Sequence, residues 1–190
     1  MKYFRNLLLF CLSIGLATSC SKWVDPNPDV DPRITARKYC NDPQAVNYNW
    51  DFPGVPDSTV CYYPADLFEG SYSFKDSIFK SNNSYDTNYA PQTYMLQLTS
   101  IGKNKLQLTG FCTNPLFFTA PRIGTMAHGD SIYKIDDTTW AYGQPFCRSQ
   151  DTLSGTLIRE TDSVGKLITI EWKVVSDTGT RLHRGVARKI

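Results

Sequence analysis

The chain has no apolar run long enough to cross a bilayer. Its longest, Leu7 to Ala17 (LLLFCLSIGLA), is about eleven residues, where a spanning helix needs ~20. Histidine is scarce: only His128 and His183 occur. Neither stands in an H-E-x-x-H, and the sequence holds no G-x-S-x-G elbow and no phosphate-cradling glycine loop. No pair of cysteines is spaced C-x-x-C, which removes the usual zinc and dithiol patterns. Net charge is nearly absent too. With Lys2 and Arg5 set aside, the 20 basic residues fall to 18 and match the 18 acidic ones, so nothing argues for a nucleic-acid partner. Helical periodicity is missing from the chain. These absences lead us to expect a non-catalytic protein with no catalytic residues, no cofactor and no metal.

What is present begins at the N-terminus. Lys2 and Arg5 precede the short apolar stretch, and Thr18 and Ser19 follow it. This is the pattern of an export signal rather than of a membrane anchor. The residues Ala17-Thr18-Ser19-Cys20 resemble a bacterial lipobox, with Ala17 where Leu is usual. The resemblance implies cleavage before Cys20, a diacylglycerol on its thiol and an acyl chain such as palmitate on the new N-terminus. Two or three acyl chains hold a protein on a bilayer where one does not. Residues 1–19 are thus read as a lipoprotein signal peptide. The expected location is the cell outer membrane, with both faces open as alternatives.

Cysteine usage agrees with export. Of six cysteines, Cys11 leaves with the signal and Cys20 carries lipid. Cys40, Cys61, Cys112 and Cys147 remain, an even number in an oxidising compartment. Three connectivities are open, and proximity favours Cys40–Cys61 with Cys112–Cys147.

Residues 20–38 read as an extended tether, because Pro26, Pro28 and Pro32 oppose regular structure and stiffen the chain. Residues 39–65 form a second unit. Between Cys40 and Cys61, Asn and Asp alternate with Pro43, Pro53, Gly54 and Pro56, which is turn chemistry. Too few apolar residues are present for a core, so the disulfide must close the loop. The run Cys40, Asp42, Pro43, Ala45, Asn47, Tyr48, Asn49 and Cys61 resembles a cysteine-bracketed motif of extracellular Bacteroidota proteins. We read it as a stapled spacer.

From Phe68 the period becomes two. Segments 70–79, 92–100, 104–111, 117–127, 130–136, 138–143, 152–160, 166–175 and 180–190 all read as strands. Trp172, Phe74, Leu96, Leu98 and Leu108 fall on one face. Turn signals such as Gly102-Lys103-Asn104, His128-Gly129-Asp130 and Asp136-Asp137 separate the strands. Short spacings predict an antiparallel up-and-down barrel of about eight strands over residues 66–190, with a two-sheet β-sandwich as the alternative. The cations Arg181, Arg184, Arg188 and Lys189 fit a charged edge strand that resists aggregation. Both histidines are expected on the surface.

Phe68, Gly70, Tyr72, Phe74, Asp76 and Ser77, then Tyr94 to Leu98, Asn104 to Phe111 and Ile168-Thr169-Ile170, resemble a lipocalin-like (calycin-like) barrel domain of Bacteroidota outer-membrane lipoproteins. The resemblance implies a barrel with interior space for an apolar ligand. Phe117, Phe118, Trp140, Tyr142 and Phe146 flank Cys112 and Cys147 and are the candidate ligand-binding aromatics, suited to a sugar or an apolar tail. The expected partners are a membrane, through the N-terminal lipid, and a surface protein or glycan. The expectation is a structural or interaction module of a surface assembly, with binding of a small apolar or glycan ligand as the alternative. Oligomeric state is left open.

Overall fold

The computed structural model describes residues 31–130, 132–134, 140–160 and 166–190. The signal segment, Cys20, the first part of the tether and the Asp136-Asp137 turn lie outside them. The described chain is all-β apart from short helical turns. A helix α1 (Pro32–Ala36) opens it, inside the segment expected to be irregular. Pro32 takes the first helical position, where its missing N–H is no loss. Next, β1 (Lys38–Tyr39) and β2 (Val55–Pro56) pair in parallel.

The barrel strands are β3 (Gly70–Lys80), β4 (Gln92–Gly102), β5 (Lys105–Thr109), β6 (Leu116–Thr119), β7 (Met126–Gly129), β11 (Thr152–Arg159), β12 (Leu167–Ser176) and β13 (Gly179–Lys189). Their order is β11-β12-β13-β3-β4-β5-β6-β7, and β7 pairs back onto β11 through Leu157↔Ala127. Eight antiparallel strands therefore close. Between β7 and β11 the chain adds the hairpin β8 (Ile132–Lys134) with β9 (Trp140–Tyr142), and the two-residue β10 (Gln144–Pro145) on β11.

Three expectations are corrected here. Segment 117–127 is two strands, because Pro121 cannot continue the ladder and the chain turns there, Gly124 N–H donating to Pro121 O. His128 and Gly129 belong to β7 rather than to a turn. Most consequentially, β13 is no edge. It is hydrogen-bonded along its length to β12 and β3, so its cations guard no exposed ladder. Arg184 packs over the Phe79 ring instead (5.7 Å).

Inward positions alternate as a two-residue period requires. Tyr72, Phe74, Leu96, Leu98, Leu106, Leu108, Phe118, Leu157, Ile168, Ile170 and Trp172 are all buried. Each such side chain stabilises the fold by roughly 1.5–3 kcal/mol on an area basis. Space for the large rings comes from small residues on β13. A Cβ on Gly185 would stand 1.9 Å from Lys75 O and 3.0 Å from the Phe74 ring.

The disulfide-closed unit covers one end of this barrel. Cys40–Cys61 closes it with Cα atoms 4.9 Å apart. Asp57 caps the 3-10 turn Ser58–Val60 and takes Lys38 at 2.7 Å. Asp42 binds the barrel's Lys103 at 2.6 Å and the Tyr63 hydroxyl at 2.9 Å. The Lys103 ammonium, the Gln44 amide and the Tyr63 hydroxyl hold the Asp42 carboxyl down at about 2. Arg122 reaches back to Ala45 O at 3.2 Å. A 3-10 turn, Ala65–Leu67, then drives Ala65 and Phe68 into the barrel core, where both are fully buried.

Tyr72 ties this closure together, its hydroxyl donating to Phe68 O at 2.8 Å. Burial pushes its phenol up to about 12, Arg159 opposing the shift. The folded value lies above the unfolded ~10. Stability carried by the neutral phenol is therefore complete below pH ~10 and is lost as pH rises through 12. We expect Tyr72→Phe to lose about 0.5–1.5 kcal/mol at pH 7 and to be less alkali-sensitive than the native chain between pH 10 and 12. Urea titrations at both ends of that window check this; equal alkali sensitivity would refute it.

Candidate functional site at the mouth of the barrel

The opposite end of the barrel carries the polar chemistry. It is rimmed by residues 81–91, by the β5–β6 loop and by the segment between β10 and β11. The second disulfide, Cys112–Cys147, joins the last two, with Cα atoms 4.9 Å apart. Both bridges are the pairing that proximity favoured. Cys112 follows Phe111, and the bridge holds that ring across the barrel axis. Phe111 meets Tyr94 at 4.2 Å, Trp172 at 5.0 Å, Phe146 at 5.3 Å and Phe74 at 6.2 Å between centroids. The interior below the mouth is thus occupied by rings.

Within this aromatic wall lies an ion-pair geometry. Asp76 is inward on β3, in phase with Tyr72 and Phe74. His183 is inward on β13, in phase with Ala187. Their side chains meet at 2.7 Å, Nδ1 to Oδ2, with 2% and 8% of the two residues exposed. Among the described residues, Asp76 Oδ1 and the Trp172 indole N–H have no hydrogen-bond partner. His183 was expected on the surface and is buried, because its place in the β13 alternation decides its side. His128 is exposed, as expected.

Above the pair a cavity of about 160 Å³ opens among Tyr89, Phe146, Asp151, Val174, Arg181 and His183. Arg181 lies over the Tyr89 ring at 4.9 Å. Asp151 is nearly buried and is held by Arg148 through two bonds, 2.9 and 3.2 Å. Ser176 also lines the cavity, but its hydroxyl bonds to Gly179 O at 2.9 Å. The arrangement offers ring walls, one guanidinium and an imidazole oriented by a carboxylate. These are binding groups of mixed character.

The candidate aromatics separate. Phe118 and Phe146 are in the core around Trp172, at 6.3 and 6.4 Å. Phe117, one residue before Phe118, takes the opposite face of β6. Its N–H and C=O are both clamped by the buried Gln144 carboxamide at 2.7 Å. Trp140 and Tyr142 are in β9, and their side chains lie outside the description. Cys20 lies outside the described residues. Sequence reading missed Phe111, Gln144 and the Asp76–His183 pair. One signal was available: Asp76 falls on the apolar phase of its own strand. Among the described residues, no group of three or more His, Cys, Asp or Glu is placed to hold a metal ion.

These features define an all-β class: a closed eight-stranded antiparallel barrel, one end covered by a disulfide-closed unit. No family model matches the chain, and no curated protein matches it. Among solved structures, a redesigned beta barrel is similar over 68% of this chain and 96% of its own, at 9% identity and a TM-score of 0.41.

Leaving a buried donor or acceptor without its partner costs about 1–3 kcal/mol, and more for a charged group, whereas replacing both partners by apolar groups can be nearly neutral. We expect His183→Leu alone to lose stability in that range and Asp76→Leu/His183→Leu together to recover most of it. Urea unfolding of the three chains checks the cycle. Additive losses would mean that the two groups are not coupled.

Proposed function

We propose that the protein is a lipid-anchored, non-catalytic interaction module of a cell-envelope surface assembly, attached to the outer membrane through Cys20. The observation that carries this reading is the ring cluster of Phe74, Tyr94, Phe111, Phe146 and Trp172 along the barrel axis. A barrel built to enclose an apolar ligand keeps its interior open. Here the interior volume goes to side chains, so contact with partners falls to the outer surface and the rims. The disulfides suit an oxidising compartment.

A second reading has its own support. His183, with Asp76 behind it, and Arg181 line a cavity of about 160 Å³, enough for a compact ligand and too little for a long apolar chain. In this reading the mouth binds a small polar molecule. Native mass spectrometry of the protein taken gently from its host separates the two. A reproducible small-molecule adduct, lost with Arg181→Gln, supports the mouth site; a clean mass with protein partners retained supports the interaction module.

The anchor has a direct test. We expect the native chain to take up radiolabelled palmitate and to sediment with membranes, and Cys20→Ser to lose both. Membrane sedimentation unchanged in Cys20→Ser would overturn the lipid anchor.

A further inference from the structure

The disulfide-closed unit carries an apolar surface that the barrel does not use. At its tip the turn 47–52 is held on several sides. Asn49 N–H donates to Cys40 O at 2.8 Å, and Asn47 bridges Val60 O and Tyr62 N–H. Asn49 and Asp51 both sit at positive φ, 58° and 65°, a conformation that Asn and Asp tolerate better than most residues. This backbone places Trp50 and Phe52 outward, 57% and 65% exposed. Each rests edge-on against one supporting ring, Trp50 on Tyr62 at 6.1 Å and Phe52 on Tyr39 at 5.5 Å.

The neighbourhood is also apolar. Ile34, Val55 and Val60 are exposed as well, so five of the thirteen exposed large hydrophobic side chains among the described residues fall between residues 34 and 60. They belong to one small unit, whereas the other eight are spread along the barrel chain. Asp51 stands between the two rings and faces Arg37 at 3.9 Å, both side chains largely exposed, and the other carboxylates beside the tip are engaged. Asp57 holds Lys38 and Thr59, and Asp42 holds Lys103 and Tyr63. A bilayer boundary asks for rings and aliphatics with polar groups at their margin, where Trp in particular is favoured.

Chain length points the same way. Ten residues separate Cys20 from Asp31, a stretch that at full extension spans at most ~40 Å. If Cys20 is the lipid anchor, the unit that follows stays close to the membrane. We propose that the Trp50–Phe52 tip, with Ile34 and Val55, seats in the headgroup–acyl boundary of the anchoring bilayer and so orients the barrel with its mouth away from that bilayer. The proposal rests on the lipid-anchored reading for its geometry, but the tip's affinity for lipid is independent of acylation.

The test uses the unacylated chain 21–190, which contains every residue of the described fold. Partition onto phosphatidylcholine vesicles is measured by sedimentation, and tryptophan quenching by vesicles with brominated acyl chains. We expect binding with quenching in the native chain, and partition at least about tenfold weaker in Trp50→Ser/Phe52→Ser, given the area that two rings remove from water. The thermal midpoint of that variant should match the native one, since both side chains are mostly exposed. No partition of the native chain, equal partition of the variant, or binding without quenching would each overturn the proposal. The full chain produced in its own host separates the two readings: carrying the same two substitutions, it stays on vesicles if the anchor exists and leaves them if it does not.

Discussion

Pairing of β7 with β11 is the contact on which the rest of the structure depends. It turns one face of eight strands into a single closed interior of fixed volume. That volume must be filled or left as a cavity, and here it is filled. Trp172 meets Phe74, Phe111, Phe118 and Phe146 at 5.0 to 6.4 Å. The backbone yields where the rings need room: Gly185 on β13 leaves no space for a Cβ against Lys75 O. The seam is short, and Gln144 reinforces it by giving β6 a side-chain carboxamide where a backbone partner would stand.

Closure makes the two ends different in chemistry. At one end, Ala65 and Phe68 enter the core, while Asp42, Lys103 and Arg122 fasten the disulfide-closed unit around them. At the other end the Cys112–Cys147 bridge holds Phe111 over the axis, and polar groups gather beyond it. A carboxylate and an imidazole buried among rings cost desolvation that an apolar pair would not. Their retention beside Arg181 is the chief reason to consider the mouth as a binding place at all.

The outer surface follows the same logic. A closed sheet has no edge to protect, so the basic residues of β13 cannot be explained as an edge device. The exposed rings of the disulfide-closed unit differ from the barrel wall, where strand alternation leaves mostly polar side chains outside. Their supports are local: one disulfide, two Asx residues at positive φ and one underlying ring for each exposed one.

Local chemistry alone determined much of this. Two-residue alternation located Trp172, Phe74, Leu96, Leu98 and Leu108 on the inside. Turn residues separated most strands, and cysteine proximity matched both disulfides. These features were legible because each depends on neighbours within a strand or a loop. Tertiary structure decided the remainder. Whether β13 is an edge depends on what pairs with it, and β3 and β12 lie far from each other in sequence. Asp76 and His183 are 107 residues apart, so only the pairing of β13 with β3 brings them to 2.7 Å. Phe117 and Phe118 looked like one aromatic site and are on opposite faces. Side-chain type says what a residue can bind, but register and closure decide which residues share a space.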